Sequence, residues 1–169
     1  MTNSTISGVP GQLTTAIENA EGFRSHAYWD PIGHVWSVGY GETGPNIGPS
    51  TIVTRKEAIE WLVSVEDKLI TDLEAALPWS VHLSQPRFGA LVDAAYNLGL
   101  AGLLAFHEAL DAMQREDWVE AAHGFQNSLW YRQIPDRVDT INYMVIFSEW
   151  VEEYLNSDQL ALLTRALHD

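Results

Sequence analysis

Apolar residues recur at helical spacing near the start of the chain, where Leu13, Ile17, Ala20 and Phe23 fall on one face. Gly22 follows as a residue that accepts a positive φ and so ends a helix. The pattern predicts a helix over Gly11–Glu21, with Glu21 in its last turn. Beyond it the period changes to that of strands. Short β-favouring runs at 27–29, 35–40 and 51–53 alternate with the turn clusters Asp30-Pro31-Ile32-Gly33 and Gly44-Pro45-Asn46-Ile47-Gly48-Pro49, predicting a small antiparallel sheet. Thr54 with Glu57 three residues on reads as a capping box that opens a long helix. Ile59, Leu62, Val63, Ile70 and Leu73 keep its period to about Leu77, before Pro78. The remainder predicts helices at 86–98, 102–115, 117–129 and 135–156, then an amphipathic piece with Leu160, Leu163 and Leu167 on one stripe. No repeat or low-complexity segment interrupts the pattern.

These elements add up to a single α+β domain over 1–169. Its sheet lobe spans about 12–53, a connecting helix about 54–77, an all-helical lobe about 78–156 and an additional C-terminal helix about 157–169. A length of 169 residues is enough to bury a real core. There is no cysteine, which excludes disulfides and thiolate metal sites. The six histidines show no ligand spacing and no Asp-rich calcium loop occurs, so no metal or cofactor is expected. No apolar run is long enough for a membrane span, and no apolar segment follows a basic start, so neither membrane insertion nor an export signal is expected. Against 23 acidic residues stand nine Lys and Arg, a net charge of −14. That balance argues against a nucleic-acid partner.

The candidate chemistry lies at the boundary of helix and sheet. Glu21 ends the first helix and Asp30 opens a hairpin turn nine residues later. Two carboxyl groups on different elements can flank a scissile glycosidic bond, one protonated and one ionised. Taken alone the pair reads more readily as a solvated helix-end charge and a turn-forming aspartate.

The surrounding motifs add weight. Glu21-Gly22-Phe23-Arg24, Ala27-Tyr28-Trp29-Asp30, Gly33 and Trp36-Ser37-Val38-Gly39-Tyr40-Gly41 resemble the signature of the phage-type lysozymes, glycoside hydrolase family 24. Tyr96-Asn97-Leu98-Gly99, Trp118-Val119-Glu120-Ala121-Ala122 and the run from Asn127 through Trp130-Tyr131-Arg132-Gln133-Ile134-Pro135-Asp136-Arg137 resemble that family's helical lobe, in the same order. The resemblance extends from about Leu13 to Trp150 and implies a two-lobed lysozyme-like fold. It implies Glu21 as the general acid, Asp30 as the ionised carboxylate behind the attacking water or the developing oxocarbenium charge, and Ser37 in place of a water-holding threonine. A serine hydroxyl has the same hydrogen-bonding capacity but lacks the methyl group that stiffens the rotamer. The spacing from Asp30 to Ser37 is one residue longer than the family pattern, so the turn or a bulge must absorb the excess. Either Ser37 holds the water, or it is a strand residue and another donor does.

On the same grounds Tyr96, Asn97 and Gln133 are candidate substrate contacts. Arg137 falls where the family keeps an arginine directed at the catalytic glutamate; a surface arginine at a helix start is the alternative. Glu42 stands where many relatives have histidine. Trp118, Trp130 and Trp150 read as core, while Trp29 and Trp36 read equally as core or as sugar-stacking residues. His26 and His34 read as strand-surface residues. The segment after Trp150 matches nothing in the pattern. The implied substrate is bacterial peptidoglycan, cut between N-acetylmuramic acid and N-acetylglucosamine by a monomer held in the host cytoplasm until its release. The competing readings are a lytic transglycosylase, which needs no Asp30, and a non-catalytic wall-binding or virion module on the same fold.

Overall fold

The computed structural model describes residues 10–168. They form a mostly helical α+β structure with one two-stranded antiparallel sheet. Contacts within the chain group it into two compact units that meet in sequence at Lys68 and Leu69.

The first unit opens with α1 (Gly11–Glu21). Leu13, Thr14, Ala16 and Ile17 are its buried residues, and Gly22 ends it at φ 72°, its N–H donating to Glu18 O. Strands β1 (Arg24–Asp30) and β2 (Val35–Gly39) follow as a hairpin. Tyr28 pairs with Ser37, Trp29 with Trp36 and Asp30 with Val35. A register shift between Arg24 and Tyr28 lets β1 leave β2 and meet a third segment: Ala27 N–H donates to Thr51 O, and Val53 N–H to Ser25 O. The expected third strand is therefore one bridge, His26 to Ile52; it is short because β1 offers that edge only across the bulge. Helix α2 (Arg55–Ala76) starts at the expected capping box, where Glu57 N–H donates to Thr54 Oγ1 and Thr54 N–H to Glu57 Oε2. Val38, Tyr40, Val53, Ala58 and Leu62 are also buried in this unit.

Beyond Lys68, α2 carries the chain into the second unit. A 3₁₀ segment (Pro78–His82) leads to α3 (Gln85–Leu98), and then α4 (Leu100–Leu104), α5 (His107–Gln114), α6 (Trp118–Gln126), α7 (Leu129–Gln133), α8 (Pro135–Phe147) and α9 (Ser157–His168) follow. Packing joins α5 to α6, and α8 to α3 and α6. Gly124 lets α6 approach α5, since a Cβ there would lie 2.8 Å from Ala109 Cβ.

Three helices differ from the sequence expectation. The segment 102–115 is two helices, because Phe106 leaves helical geometry (ψ 61°) and turns its ring between Phe125 and Trp130, 5.3 and 5.8 Å away. The segment 117–129 ends at Gln126, and Ser128 then caps a new helix by accepting from Tyr131 N–H. Helix α8 stops at Phe147, nine residues short of position 156. Ser148 takes the left-handed conformation, and Arg87 donates to the carbonyls of Val145 and Ile146 at 2.7 and 3.1 Å. A cation on those last carbonyls satisfies them and complements the helix dipole. In α9, Leu163 and Leu167 are buried as the stripe requires, whereas Leu160 is 44% exposed. The helix is tethered through a 2.7 Å hydrogen bond between His123 Nε2 and Leu167 O. Among the described residues no helix is long and apolar enough to cross a membrane.

Candidate active site

The first unit carries Glu21, Asp30 and Ser37. Glu21 is the last residue of α1, half-buried, at the point where Gly22 turns the chain into β1. Its Oε2 lies against the turn after β2, 3.6 Å from where a Cβ on Gly41 would stand. Asp30 is the last residue of β1, and its Oδ1 accepts the Ile32 N–H at 2.9 Å. This is the turn-forming reading of Asp30, and it also fixes the carboxylate. The other oxygen points over Gly33, where an added Cβ would come within 2.8 Å of Oδ2. A side chain at this position would therefore push the Asp30 carboxylate aside.

Directly opposed residues in a hairpin share a face, and alternate residues along each strand return to it. Tyr28, Asp30, Val35 and Ser37 are thus on one face of the ribbon, Trp29 and Trp36 on the other. Ser37 is buried and diagonal to Asp30. The extra residue between Asp30 and Ser37 is taken up by the loop 31–34, where His34 adopts φ 53°. The bulge in the hairpin lies elsewhere, at 25–27. On the far face Trp29 and Trp36 pack edge to face with centroids 5.6 Å apart, and Trp29 stays 46% exposed. His26 and His34 are surface residues.

After β2, Val38 and Glu42 exchange both backbone hydrogen bonds, closing a loop of Gly39, Tyr40 and Gly41. Both glycines have positive φ, 68° and 91°. The Tyr40 hydroxyl donates to Glu18 Oε2 at 2.8 Å and accepts from Arg55 Nη1 at 3.3 Å. Arg55 also lies 4.4 Å over the Phe23 ring. Burial first, then the Glu18 carboxylate, push the Tyr40 hydroxyl above its ordinary range; Arg55 opposes them. Burial pushes the Glu42 carboxyl up too, and the charge of Glu21 adds to this, while the Tyr40 amide pulls the other way.

The second unit holds Tyr96, Asn97, Gln133 and Arg137. Asn97, near the end of α3, is exposed, and its Oδ1 accepts from Trp130 Nε1 at 2.8 Å. That bond orients both side chains. Tyr96 is half-buried, and Gln133 ends α7 on the surface. Arg137 lies in the first turn of α8, 6% exposed. Its Nε and Nη2 both donate to Asp93 Oδ1, at 3.0 and 2.6 Å. Burial pushes the Asp93 carboxyl up, and Arg137 opposes that push. Trp130 is buried as read, and Trp118 is half-buried beneath the Arg87 guanidinium at 3.8 Å. Trp150 packs its ring on Gly89.

The sequence reading missed Asp93 and the Glu18–Tyr40 pair. A lone acid inside the run Leu91-Val92-Asp93-Ala94-Ala95 was an available signal for a buried partner of opposite charge. The Glu18–Tyr40 contact joins residues 22 apart and had no such signal.

The phage lysozyme family model matches residues 18–138, well over half of the chain, and the chain belongs to that family. Glu21, Asp30, Ser37, Tyr96, Asn97, Gln133 and Arg137 all fall inside the match. The chain is 29% identical over 110 residues to the endolysin of Bacillus phage B103, covering 64% of this chain and 41% of that protein. It is 29% identical over 128 residues to peptidoglycan hydrolase gp36 of Pseudomonas phage phiKMV, covering 70% and 13%. To the endolysin of Bacillus phage PZA it is 34% identical over 85 residues, covering 50% and 32%. The chain thus spans less than half the length of each of these relatives.

Proposed function

We propose that this chain hydrolyses the β-1,4 bond between N-acetylmuramic acid and N-acetylglucosamine in bacterial peptidoglycan. The observation that carries the reading is the placement of Glu21 at the end of α1 and of Asp30 with Ser37 on one face of the following hairpin, in a chain of the phage lysozyme family. Two relatives carry the name endolysin and a third peptidoglycan hydrolase. In this reading Glu21 protonates the glycosidic oxygen as the bond to the anomeric carbon breaks. Asp30 stays ionised and supports the water or the developing positive charge, and Ser37 orients the water that completes hydrolysis. The Ile32 amide holds Asp30 from behind and leaves Oδ2 for that task. Tyr96, Asn97, Gln133 and Arg137 serve substrate binding, Arg137 as one half of a buried pair that stiffens the start of α8. The protein acts as a monomer without a nucleic-acid partner, and is held in the host cytoplasm before it reaches the wall.

Digestion of purified peptidoglycan, with fragment masses and end groups read out, tests this. Reducing muramic acid ends are the expected product. Anhydro ends would replace hydrolysis with a transglycosylase, and no cleavage would leave a wall-binding module.

A further inference from the structure

Trp29 and Trp36 stand opposite each other on the hairpin, on the face turned away from Asp30 and Ser37. Trp36 is half-buried, whereas Trp29 leaves 46% of its surface open to solvent. Two rings brace it. Trp36 meets it edge to face with centroids 5.6 Å apart, and His34 does so at 6.4 Å. His34 is held at φ 53°, a backbone conformation uncommon for residues other than glycine. Three rings thus form one aromatic strip on the outer side of the hairpin, with Trp29 in contact with both of the others. An indole held by two ring neighbours and still half open leaves a large apolar surface in water.

Charge narrows the choice of partner. Residues 22–41 contain a single acid, Asp30, against Arg24, His26 and His34, in a chain with 23 acids. Asp30 lies on the other face of the ribbon. A strip without carboxylates is a place where an anionic polymer can approach a molecule of net charge −14. Shape narrows it further. A pyranose ring has a face of C–H groups and a rim of hydroxyls. Stacked on an indole, it removes apolar area of both rings from water while its rim stays hydrated. An open, flat aromatic strip suits that geometry, whereas an aliphatic side chain needs a pocket to enclose it.

We propose that the outer face of the hairpin is a second sugar-binding surface, which takes N-acetylhexosamine residues of peptidoglycan that are not being cut. Trp29 is its stacking platform, and His34 and Trp36 are the rings that hold it in place. Trp29 and Asp30 are successive residues on opposite faces. The hairpin that presents the proposed catalytic carboxylate on one side therefore holds the wall with the other. This rests on the reading of peptidoglycan as the substrate, and on no catalytic role of Glu21 or Asp30.

The test is sedimentation with purified insoluble peptidoglycan, in a Glu21→Gln background so that the polymer stays intact. Adding Trp29→Ala should weaken retention roughly five- to tenfold, the scale on which truncating an aromatic anchor acts. Trp29→Phe should keep most of it. Equal retention with and without Trp29→Ala overturns the proposal. NMR titration of the unaltered chain with chitotetraose needs no Trp29 variant to fold. The Trp29 indole N–H resonance should shift, and a Trp29 resonance that stays put at saturating sugar also overturns the proposal. Ile32, 89% exposed at the hairpin tip, makes a lipid surface the competing partner. Retention on phosphatidylglycerol vesicles that is lost with Trp29→Ala or Ile32→Ser assigns the face to lipid instead. Trp29-dependent retention on peptidoglycan by a chain that cleaves nothing upholds the surface and rejects only the proposed function.

Discussion

At the scale of single residues, the site depends on carboxyl groups whose surroundings are set by glycine. Glu21→Gln removes the proton but keeps the shape, so lysis should fall by roughly 10²–10⁴-fold, the usual contribution of general acid–base catalysis. Circular dichroism should be unchanged; retention of most wild-type turnover would reject Glu21 as the acid. Gly33→Ala acts through Asp30. The new Cβ would stand 2.8 Å from Asp30 Oδ2, and the side chain must move to admit it. Gly33 needs no positive φ, so the variant should lose turnover well beyond its loss of thermal stability, and equal losses would point to a general folding defect. Glu42 makes a pH prediction of its own. Its carboxyl is raised by burial and then by Glu21. An acid raised in the native state binds a proton there that the unfolded chain has already released, so stability falls as pH climbs above the ordinary glutamate value of about 4.3. Denaturant unfolding of Glu42→Gln should show stability gained relative to wild type between about pH 4 and 7, and little difference below that. A constant difference across the range would mean that the carboxyl is not perturbed.

At the scale of elements, what was legible in the sequence was what neighbouring residues decide. The α1 boundaries, the Thr54–Glu57 box and the hairpin around Asp30 are local events, written in a Gly22 stop, a reciprocal cap and a turn cluster. The elements that carry Glu21, Asp30 and Ser37, proposed here as the site, were legible for the same reason, since the three lie within 17 consecutive residues. The errors came where tertiary contacts override periodicity. Nothing local to Phe106 says that its ring will leave a helix to meet Phe125 and Trp130. Nothing local to Ser148 says that Arg87, 58 residues before Val145, will take the α8 carbonyls. The partner of Arg137 was missed because its target, Asp93, sits 44 residues earlier on α3. That pair joins α3 to α8, and it is buried on both sides, with side-chain exposures of 7% and 2%. Asp93→Ala would leave Arg137 charged and enclosed, and breaking such a pair typically costs about 3–5 kcal/mol. Chemical unfolding should show a loss of that order, and Arg137→Met in the same background should recover part of it by removing the buried charge. A loss below about 1 kcal/mol would mean that water or another acceptor takes Arg137 over.

At the scale of the whole molecule the governing quantity is the net charge of −14, carried by 23 acids against nine bases. Like charges repel each other in the folded chain, and the proposed substrate is anionic too. Both repulsions weaken as the Debye length falls from about 10 Å at 0.1 M salt to about 3 Å at 1 M. Stability and wall-lysing activity should therefore both rise, or at least hold, between low and moderate salt. A basic enzyme that relies on attraction to the wall should instead lose activity over that range, because screening removes its steering. The two quantities can separate. The surface repulsion is summed over the molecule, whereas the substrate meets only local charge, and Arg24 on β1 brings a cation next to the hairpin, 4.5 Å over the Tyr28 ring. If such cations neutralise the approach of the glycan strand, activity stays flat while thermal stability alone improves. Parallel salt series of melting temperature and initial lysis rate distinguish these outcomes. A steep fall in both on adding salt would show that specific ion pairs, rather than net charge, control the folded state and its encounter with the wall.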